Sequence, residues 1–334
     1  MKEIYPLYLK EFECIAGNCP DTCCAGWEIV VDEKFQQIYK QSKSKAAKKA
    51  VEAMYRDSDG DVCLRLNNGR CPMLNKENLC ELYIDIGKDA LCDVCRVYPR
   101  FNKEFEDFVF SGISLSCPEA ARLILEDDSY GELNYFAEFV NEASEAIFKI
   151  FLFMKDMAIK NSFFNIADLA EELQFELDFG DTEQALEIIG IYSQTSSIPC
   201  PEDVLEIAKR ICDSQILTDE WKVLSKSLVS HLEKAMADCD YRQKRDKAFF
   251  DCAGHKEIKN TEIYYLYKYL PEALEGVDIA STAITALGAS SVICELYAME
   301  LIEKGELSFE RKLRLAQLFS KEIEHNEENI KTVL

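Results

Sequence analysis

The sequence is poor in histidine, glycine and proline, and each shortage narrows what the protein can be. Its three histidines, at positions 231, 255 and 325, lie outside the N-terminal region that carries most of the cysteines, which favours metal sites built from cysteine alone. Thirteen glycines and eight prolines in 334 residues are few for a β-rich or loop-rich fold. No glycine-rich loop follows a predicted strand, so the sequence lacks an ordinary dinucleotide-binding motif.

Long apolar runs are also missing. The longest apolar region, around residues 147–157, is interrupted by Lys149 and Lys155 and is shorter than the roughly 18 residues of a membrane span. Residues 1–6 lack the apolar core of a signal peptide. We therefore expect a cytoplasmic protein with no membrane partner, in which clustered cysteines bind a metal rather than form disulfides.

Basic residues are scarce relative to acidic ones. The chain has 38 Lys and Arg against 61 Asp and Glu, a net charge of −23. Residues 1–120 contain 16 basic and 20 acidic residues, so residues 121–334 contain 22 and 41. This acidity disfavours nucleic acid as a partner and favours a lysine-bearing protein. The sequence does not indicate an oligomeric state.

Cysteine is the residue that the chain has in excess. Ten of its 15 cysteines lie before residue 118, whereas the other five are scattered through helical sequence. We expect those five to be buried core thiols: Cys200, Cys212, Cys239, Cys252 and Cys294. The composition predicts a mainly α protein with two domains. Residues 1–125 would be a small Cys-rich metal-binding module with minor β structure, and residues 126–334 an acidic, all-helical domain.

Apolar periodicity and turn residues predict the elements. Short strands are expected at 27–31, 62–66 and 107–110, with Asn68-Gly69 as a hairpin turn. Helices are expected at 33–55, 80–86, 118–125, 132–160, 164–178, 181–194, 201–213, 218–238, 240–251, 261–270, 278–303 and 308–325. The later helices predict a bundle or a stack of helix pairs.

The spacing of the thiols leaves three chemistries open: a four-thiolate zinc site, a cubane iron–sulfur cluster, or structural disulfides. Cys92 and Cys95 have the two-residue spacing of a zinc knuckle, but no second knuckle accompanies them. Cys19 and Cys23 begin a radical-type cluster motif, in which Gly26 stands at the third position. The vicinal pair Cys23-Cys24 is unusual for one tetrahedral ion.

Four motifs in order carry a resemblance. They are Phe-x-Cys…Cys-x3-Cys-Cys-x2-Trp from Phe12, Cys-Pro-x-Leu…Leu-Cys-x2-Tyr from Cys71, Cys-Arg-x-Tyr-Pro-Arg from Cys95, and Leu-Ser-Cys-Pro-Glu-Ala-Ala-Arg around Cys117. Over roughly residues 1–125 the chain resembles the flagellin lysine-N-methylase family. The resemblance implies methyl transfer from S-adenosylmethionine to surface lysines of flagellin.

The resemblance also implies a 4Fe-4S cluster in the cysteine module, with zinc as the alternative. Cys63 and Cys92 fit the motifs less well than the other thiols of this region, so we rank them below. Eight cysteines remain as predicted ligands, and the motifs do not fix which four bind: Cys14, Cys19, Cys23, Cys24, Cys71, Cys80, Cys95 and Cys117.

Lysine methylation requires a neutral amine, so a nearby group must accept a proton. Tyr83 and Tyr98 are the predicted catalytic residues, with core aromatic packing as the alternative. Trp27 is predicted to cover the site or to stack on the cofactor. Arg96 and Arg100 are predicted either to neutralise the thiolates or to pair with the cofactor's carboxylate.

Two other functions remain open. The first is a non-enzymatic zinc- or iron-binding assembly protein, with the helical half as a platform for partners. The second is an electron-transfer protein, which is disfavoured because electron transfer does not need a large helical body. The set of four motifs favours the methyltransferase, because it exceeds what one structural zinc would need.

Overall fold

A computed structural model of the chain describes residues 2–27, 29–58, 60–105, 108–136, 139, 141–160, 198–326 and 329–330. Helices dominate this part of the chain, which confirms the mainly α fold class. The α-helices are α1 (Glu33–Gln41), α2 (Lys45–Ala53), α3 (Glu81–Ile86), α4 (Asp93–Val97), α5 (Pro118–Glu126), α6 (Glu142–Lys160), α7 (Pro201–Asp213), α8 (Asp219–Ala237), α9 (Cys239–Ala253), α10 (Lys256–Tyr269), α11 (Ile279–Lys304) and α12 (Phe309–Ile323). The strands are β1 (Lys2–Pro6), β2 (Ile29–Val30), β3 (Met54–Arg56), β4 (Val62–Leu64), β5 (Arg100–Glu104), β6 (Phe108–Ile113) and β7 (Leu133–Asn134).

The chain divides into two compact units. The cysteine-rich unit comprises Phe12–Phe101 and Cys117–Glu119, and it contains all ten cysteines of the N-terminal region. The helical unit comprises Met1–Glu11, Asn102–Ser116 and Ala120–Leu334. The predicted domain boundary after residue 125 stays a prediction, as does the metal-binding role of the first part.

In the cysteine-rich unit, a small antiparallel sheet in the order β2-β4-β3 packs with α1 and α2. The predicted single helix over residues 33–55 is wrong. Ser42 leaves the helical conformation with ψ 140°, and Ser44 caps α2 by accepting a hydrogen bond from the Ala47 amide at 3.3 Å. Serine hydroxyls bond to nearby backbone amides, so they stabilise helix starts better than helix interiors.

The predicted turn at Asn68-Gly69 is confirmed. Both residues have positive φ, 51° and 74°, as a two-residue hairpin turn requires. Asn67 and Arg70 exchange backbone hydrogen bonds of 2.8 and 3.1 Å across it. The turn reverses the chain just before Cys71 and so fixes where the second cysteine segment begins.

In the helical unit, β1 pairs in parallel with β6 and antiparallel with β7. The strand predicted at 107–110 corresponds to β6. The helix predicted to begin at residue 132 is wrong at its start, because Leu133–Asn134 forms β7 and α6 begins at Glu142. Pairing of β7 with Tyr5 and Pro6 of β1 overrides the local helical pattern.

The remaining helices follow the predicted spans closely. Those at 201–213, 218–238, 240–251, 278–303 and 308–325 are confirmed to within two residues at each end. The helix predicted at 261–270 begins earlier, at Lys256. The helices predicted at 164–178 and 181–194 lie outside the described residues.

The core of the helical unit is built around α11. Nearly every residue from Ile279 to Glu300 is buried, and α9 and α10 pack most extensively on this helix. Asp278 caps its start by accepting a hydrogen bond from the Ser281 amide at 2.8 Å. Gly305 ends it with a φ of 78°, a conformation that glycine adopts without strain.

Helix α11 is also the most apolar part of the described chain. An 18-residue window in it has a mean hydropathy of 1.5, and 83% of that window is buried inside the protein, as expected of a core helix. The expectation that residues 147–157 are the longest apolar region is therefore wrong. Ser290 and Ser291 interrupt the apolar run of this helix in the sequence. Both are nevertheless accommodated in the core, because their hydroxyls donate to backbone carbonyls of the same helix at 3.0 and 2.8 Å.

Candidate functional site

The first cysteine segment, residues 13–27, is held by backbone pairing with the chain after β4. The Gly26 amide donates to the Gly69 carbonyl at 2.9 Å, and the Cys71 amide donates to the Cys24 carbonyl at 2.8 Å. Backbone hydrogen bonds fix the relative positions of the two segments more firmly than side-chain contacts would. The structure thus brings the first and second cysteine motifs together.

The loop from Cys71 to Cys80 closes on itself. Leu74 and Cys80 form an isolated antiparallel bridge. The Asn75 side-chain oxygen accepts a hydrogen bond from the Leu79 amide at 2.9 Å, as asparagine commonly does in turns. The loop therefore brings the Cys80 end of the motif back beside Leu74, close to the Cys71 end.

Five thiols influence one another's ionisation, and we call them the inner thiols: Cys24, Cys71, Cys80, Cys92 and Cys95. Two of them are buried in the apolar core of the unit, and the other three pack against it. Burial raises the pKa of Cys71 to about 12, and burial likewise raises the pKa of Cys80. Because thiolates are costly in apolar surroundings, these two ionise readily only beside a compensating cation.

Cys92 and Cys95, at the start of α4, share a hydrogen bond between their side chains. That bond lowers the pKa of Cys92 and raises the pKa of Cys95, to which burial adds. The structure therefore groups Cys92 with four of the predicted ligands, although the sequence ranks it below them. The two-residue spacing is the signal that could have identified it.

A second group, the outer thiols, comprises Cys14, Cys23 and Cys117. A hydrogen bond with Cys24 and burial raise the pKa of Cys23 most, and the thiols of Cys14 and Cys117 add to the increase. The same hydrogen bond lowers the pKa of Cys24 to about 7, with a smaller contribution from the positive charge of Arg70. The vicinal pair thus links the two groups.

Two thiols of the region have other hydrogen-bond partners. Cys19, a predicted ligand, donates to the carbonyl of Asp21 at 3.3 Å. Cys63, which the sequence ranks low, is buried in β4 and donates to the carboxylate of Asp57 at 3.4 Å.

The inner thiols fit a soft metal in number and in donor chemistry, because zinc and iron–sulfur clusters each take four thiolates. Among the described residues, however, no three His, Cys, Asp or Glu side chains are arranged as ligands of one metal ion. Binding would therefore replace the thiol–thiol hydrogen bonds and require side-chain movement. The predicted metal ligands stay a prediction.

Trp27 and Tyr98 lie beside the thiols. Their rings make an edge-to-face contact at 5.6 Å, and the Trp27 indole donates a hydrogen bond to the Cys23 carbonyl at 2.8 Å. Tyr83 is 53% exposed on α3. The structure therefore gives Trp27 and Tyr98 a packing role at the first cysteine segment, and their predicted roles in cofactor binding and catalysis stay predictions.

The two arginines have partners within the unit. Arg96 forms an ion pair with Asp93 on its own helix. The Arg100 guanidinium lies over the Phe12 ring at 4.8 Å. Arg70 is a cation that acts on Cys24, and sequence reasoning missed it because it lies between two motifs rather than inside one.

Of the five scattered cysteines, only Cys252 and Cys294 are buried as predicted, and Cys212 is partly buried. The prediction is wrong for Cys200 and Cys239, which are exposed. Cys200 caps the start of α7, and Cys239 is the first residue of α9. Residues at helix starts face solvent more often than the apolar stripe does, and periodicity alone does not reveal this.

Replacing Gly17 with alanine tests the packing of the first cysteine segment. The added Cβ would lie 2.6 Å from the Glu77 carbonyl oxygen, so the backbone must shift, and we expect a loss of about 1–3 kcal/mol in unfolding free energy. Trp27 is the one tryptophan of this unit, so its emission in a Trp221→Phe background reports urea unfolding there. As a control in the helical unit, Gly254→Ala places Cβ 3.6 Å from the nearest atom, and the emission of Trp221 in a Trp27→Phe background should show little change in unfolding. An unchanged midpoint for Gly17→Ala would contradict the close contact.

Comparison with known proteins gives one family match and several relatives. The model of the FliB lysine N-methylase C-terminal domain matches residues 142–334. A Lysine-N-methylase of Salmonella choleraesuis is 31% identical over 142 residues, which cover 38% of this chain and 34% of that protein. Flagellar biosynthetic protein FliU of Salmonella muenchen is 30% identical over 142 residues, 38% of this chain and 80% of that protein. The chain thus spans about a third of the length of the curated lysine-N-methylases that it matches. No solved structure matches it.

Proposed function

Because the chain belongs to the family of the FliB lysine N-methylase C-terminal domain, we propose that it is a protein-lysine N-methyltransferase. The observation that carries this proposal is the match of that domain over residues 142–334, together with relatives that are named Lysine-N-methylase. We propose S-adenosylmethionine as the methyl donor and surface lysines of flagellin as the substrate. The reaction would take place in the cytoplasm.

The substrate class agrees with the charge of the chain. A net charge of −23 attracts a protein that presents lysine ammonium groups and repels nucleic acid. The name Flagellar biosynthetic protein, carried by one relative, supports a flagellar substrate. The competing idea of a non-enzymatic assembly protein is less well supported, since two of the relatives are named for lysine methylation.

The inner thiols would hold the proposed 4Fe-4S cluster, or zinc in its place. When bound, either group would cross-link the three segments that carry Cys24, Cys71–Cys80 and Cys92–Cys95. The outer thiols Cys14 and Cys117 would then be support for the first segment rather than ligands.

Methyl transfer to lysine requires that the ammonium lose a proton, so that the nitrogen lone pair can attack the methyl carbon while the sulfur–carbon bond breaks. In the cysteine-rich unit, Tyr83 and Tyr98 are the proposed proton acceptors. Trp27 would pack against the donor. Arg96 and Arg100 would exchange their contacts with Asp93 and Phe12 for the donor's carboxylate.

Methylation is tested by co-expressing the chain with flagellin and measuring the mass of flagellin peptides. We expect lysine-containing peptides heavier by one or more methyl groups, and none when the chain is omitted. Anaerobic purification with visible absorption and analysis of iron, sulfide and zinc identifies the metal. Unmodified flagellin and unmodified bulk protein lysines would contradict the proposed activity. A colourless protein with stoichiometric zinc would contradict the cluster and leave the activity standing.

A further inference from the structure

Three polar side chains from three helices form a hydrogen-bonded chain inside the helical unit. His231 of α8 lies between the other two: its Nδ1 is 3.0 Å from the hydroxyl of Tyr241 on α9, and its Nε2 is 2.9 Å from a carboxylate oxygen of Glu295 on α11. The side chains of His231 and Glu295 are 1% and 0% exposed. All three residues lie within the part of the chain that the family model matches.

The hydrogen-bond partners fix the direction of this chain. Arg245 donates from Nε to both oxygens of Glu295, at 3.0 and 3.1 Å, and hydrogen bonds from His231 and Arg245 hold the pKa of the buried Glu295 below its usual value. An ionised carboxylate only accepts hydrogen bonds, so His231 Nε2 carries the hydrogen. With the ring hydrogen on Nε2, Nδ1 is the acceptor and the Tyr241 hydroxyl donates to it. The remaining lone pairs of the Tyr241 oxygen are left to accept from another group.

The outer end of the chain opens into a concavity. Tyr241 and His231 line it together with Ser230, Lys234 and Glu303, and its volume is about 590 Å³. Lys234 lies with Nζ 4.0 Å from the centroid of the Tyr241 ring, so an ammonium group of the chain itself already contacts this ring. A buried ion pair often gives no net stability over apolar side chains of similar volume. A purely structural pair would also not need a hydrogen-bonded chain that leads to a surface concavity.

We propose that Tyr241, in place of Tyr83 and Tyr98, accepts a proton from a substrate lysine bound in this concavity, with His231 and Glu295 as positioning residues. The inference rests on the proposed function. The substrate N–H bond breaks and its electron pair stays on nitrogen. The proton passes to the Tyr241 oxygen while the hydroxyl proton of Tyr241 passes to His231 Nδ1. Glu295 stabilises the imidazolium that results, in the same way as the carboxylate of a catalytic triad. The neutral amine that results is the nucleophile that methyl transfer requires.

Several charges act on this relay and would set its pH dependence. Lys226 and Lys234 from α8 and Glu303 from α11 line the concavity with Tyr241. Arg245 and Tyr241 from α9 complete the surroundings of Glu295 and His231. Burial and the negative charges of Glu303 and Glu295 raise the pKa of Tyr241, so its hydroxyl keeps its proton at neutral pH. Tyr241 can therefore act only by passing that proton to His231 as it receives one.

Nuclear magnetic resonance tests the site without any methylation. The chain has three histidines, so uniform ¹⁵N-histidine labelling gives few signals to assign. We expect His231 to show the Nε2–H tautomer. Its Nδ1 signal should shift when Nα-acetyl-lysine methylamide is added, and Tyr241→Phe should abolish the shift. The Nε-acetylated form of the probe, which has no ammonium, should have no effect. An Nδ1–H tautomer, no shift, or an equal shift with acetate alone would overturn the proposal, the last by showing a carboxylate site.

The rate of methylation tests the role in the reaction. Tyr241→Phe should lower the rate about 100-fold or more near pH 7, the usual loss for a general base. The deficit should shrink steadily as the pH approaches about 10.4, where lysine loses its proton unaided. Tyr135→Phe, at a partly exposed tyrosine that packs on Phe148, is the matched control and should keep full activity.

The outcomes separate this proposal from the one on which it rests. If the unaltered chain methylates no lysine, the proposed function fails, and the magnetic resonance titration still decides whether the concavity binds an ammonium. If the unaltered chain is active, full activity of Tyr241→Phe, or a loss of the same size at every pH, would overturn the relay. A loss that is constant with pH is the signature of a merely structural role.

Discussion

Replacing Arg245 with methionine should lower the free energy of unfolding of the helical unit by about 3–5 kcal/mol. Arg245 and Glu295 are both fully buried, and the guanidinium contacts both carboxylate oxygens. Methionine fills a similar volume but carries no charge, so Glu295 would keep His231 as its remaining partner and stay ionised in an apolar core. Urea unfolding followed by the emission of Trp221, in a Trp27→Phe background, measures the loss in this unit.

Arg242→Met is the matched control because it lies one helical turn away on α9. Its ion pair with Glu202 has side chains that are 40% and 41% exposed, and such pairs contribute about 0–1 kcal/mol. The double substitution Arg245→Met/Glu295→Leu should recover part of the loss, since it leaves no unpaired charge in the pair but removes the acceptor of the buried His231 Nε2–H. If Arg245→Met and Arg242→Met lowered the free energy of unfolding equally, the buried pair of Arg245 and Glu295 would contribute no more to stability than the exposed pair.

The sign of the pH dependence gives a second check on Arg245→Met. In the folded protein the pKa of Glu295 is lower than its ordinary value, so its stabilising contribution is complete above about pH 4.5 and is lost as the pH falls through the folded pKa. A protonated Glu295 has no need of the guanidinium. The difference between the unaltered chain and the variant should therefore be full at pH 7 and should narrow in acid.

The sequence predicts the helices of the chain well and its polar contacts hardly at all. Periodicity and caps are local, so spans such as Pro201–Asp213 and Ile279–Lys304 are found to within a residue or two. The start of α6 is missed because β7 forms by pairing with a strand more than a hundred residues earlier. Arg245 and Glu295 are 50 residues apart, and each alone resembles an ordinary charge on a solvated helix face.

For the candidate metal centre, too, the sequence predicts one part and misses another. Motif order in the sequence identifies the segments that carry Cys24, Cys71, Cys80 and Cys95, and backbone pairing in the structure brings the first two segments together. What the motifs do not contain is the position of each thiol relative to the core. Cys92 therefore ranks low in the sequence although it hydrogen bonds with Cys95, and the bond of Cys63 to Asp57 is likewise not visible in the motifs.

Replacing Cys92 with serine should reduce the metal bound by the chain as strongly as replacing Cys95. Both belong to the inner thiols, and a hydroxyl is a far weaker ligand than a thiolate for zinc or iron. We expect each variant to lose more affinity than the about 10–100-fold that follows from losing a residue that only supports a ligand. Metal analysis after anaerobic purification gives the measurement, and methylation of flagellin should fall in parallel.

Cys63→Ser is the control, because this thiol is buried in the same unit but hydrogen bonds to Asp57. This substitution also replaces a thiol by a hydroxyl. It should leave the metal content unchanged, even if it lowers the free energy of unfolding. Substitution of the outer thiols gives the result that would contradict this prediction. If Cys14→Ser and Cys117→Ser remove the metal while Cys92→Ser retains it, the ligands include the outer thiols. The hydrogen bond between Cys92 and Cys95 would then belong to the packing of α4 against the core rather than to a metal site.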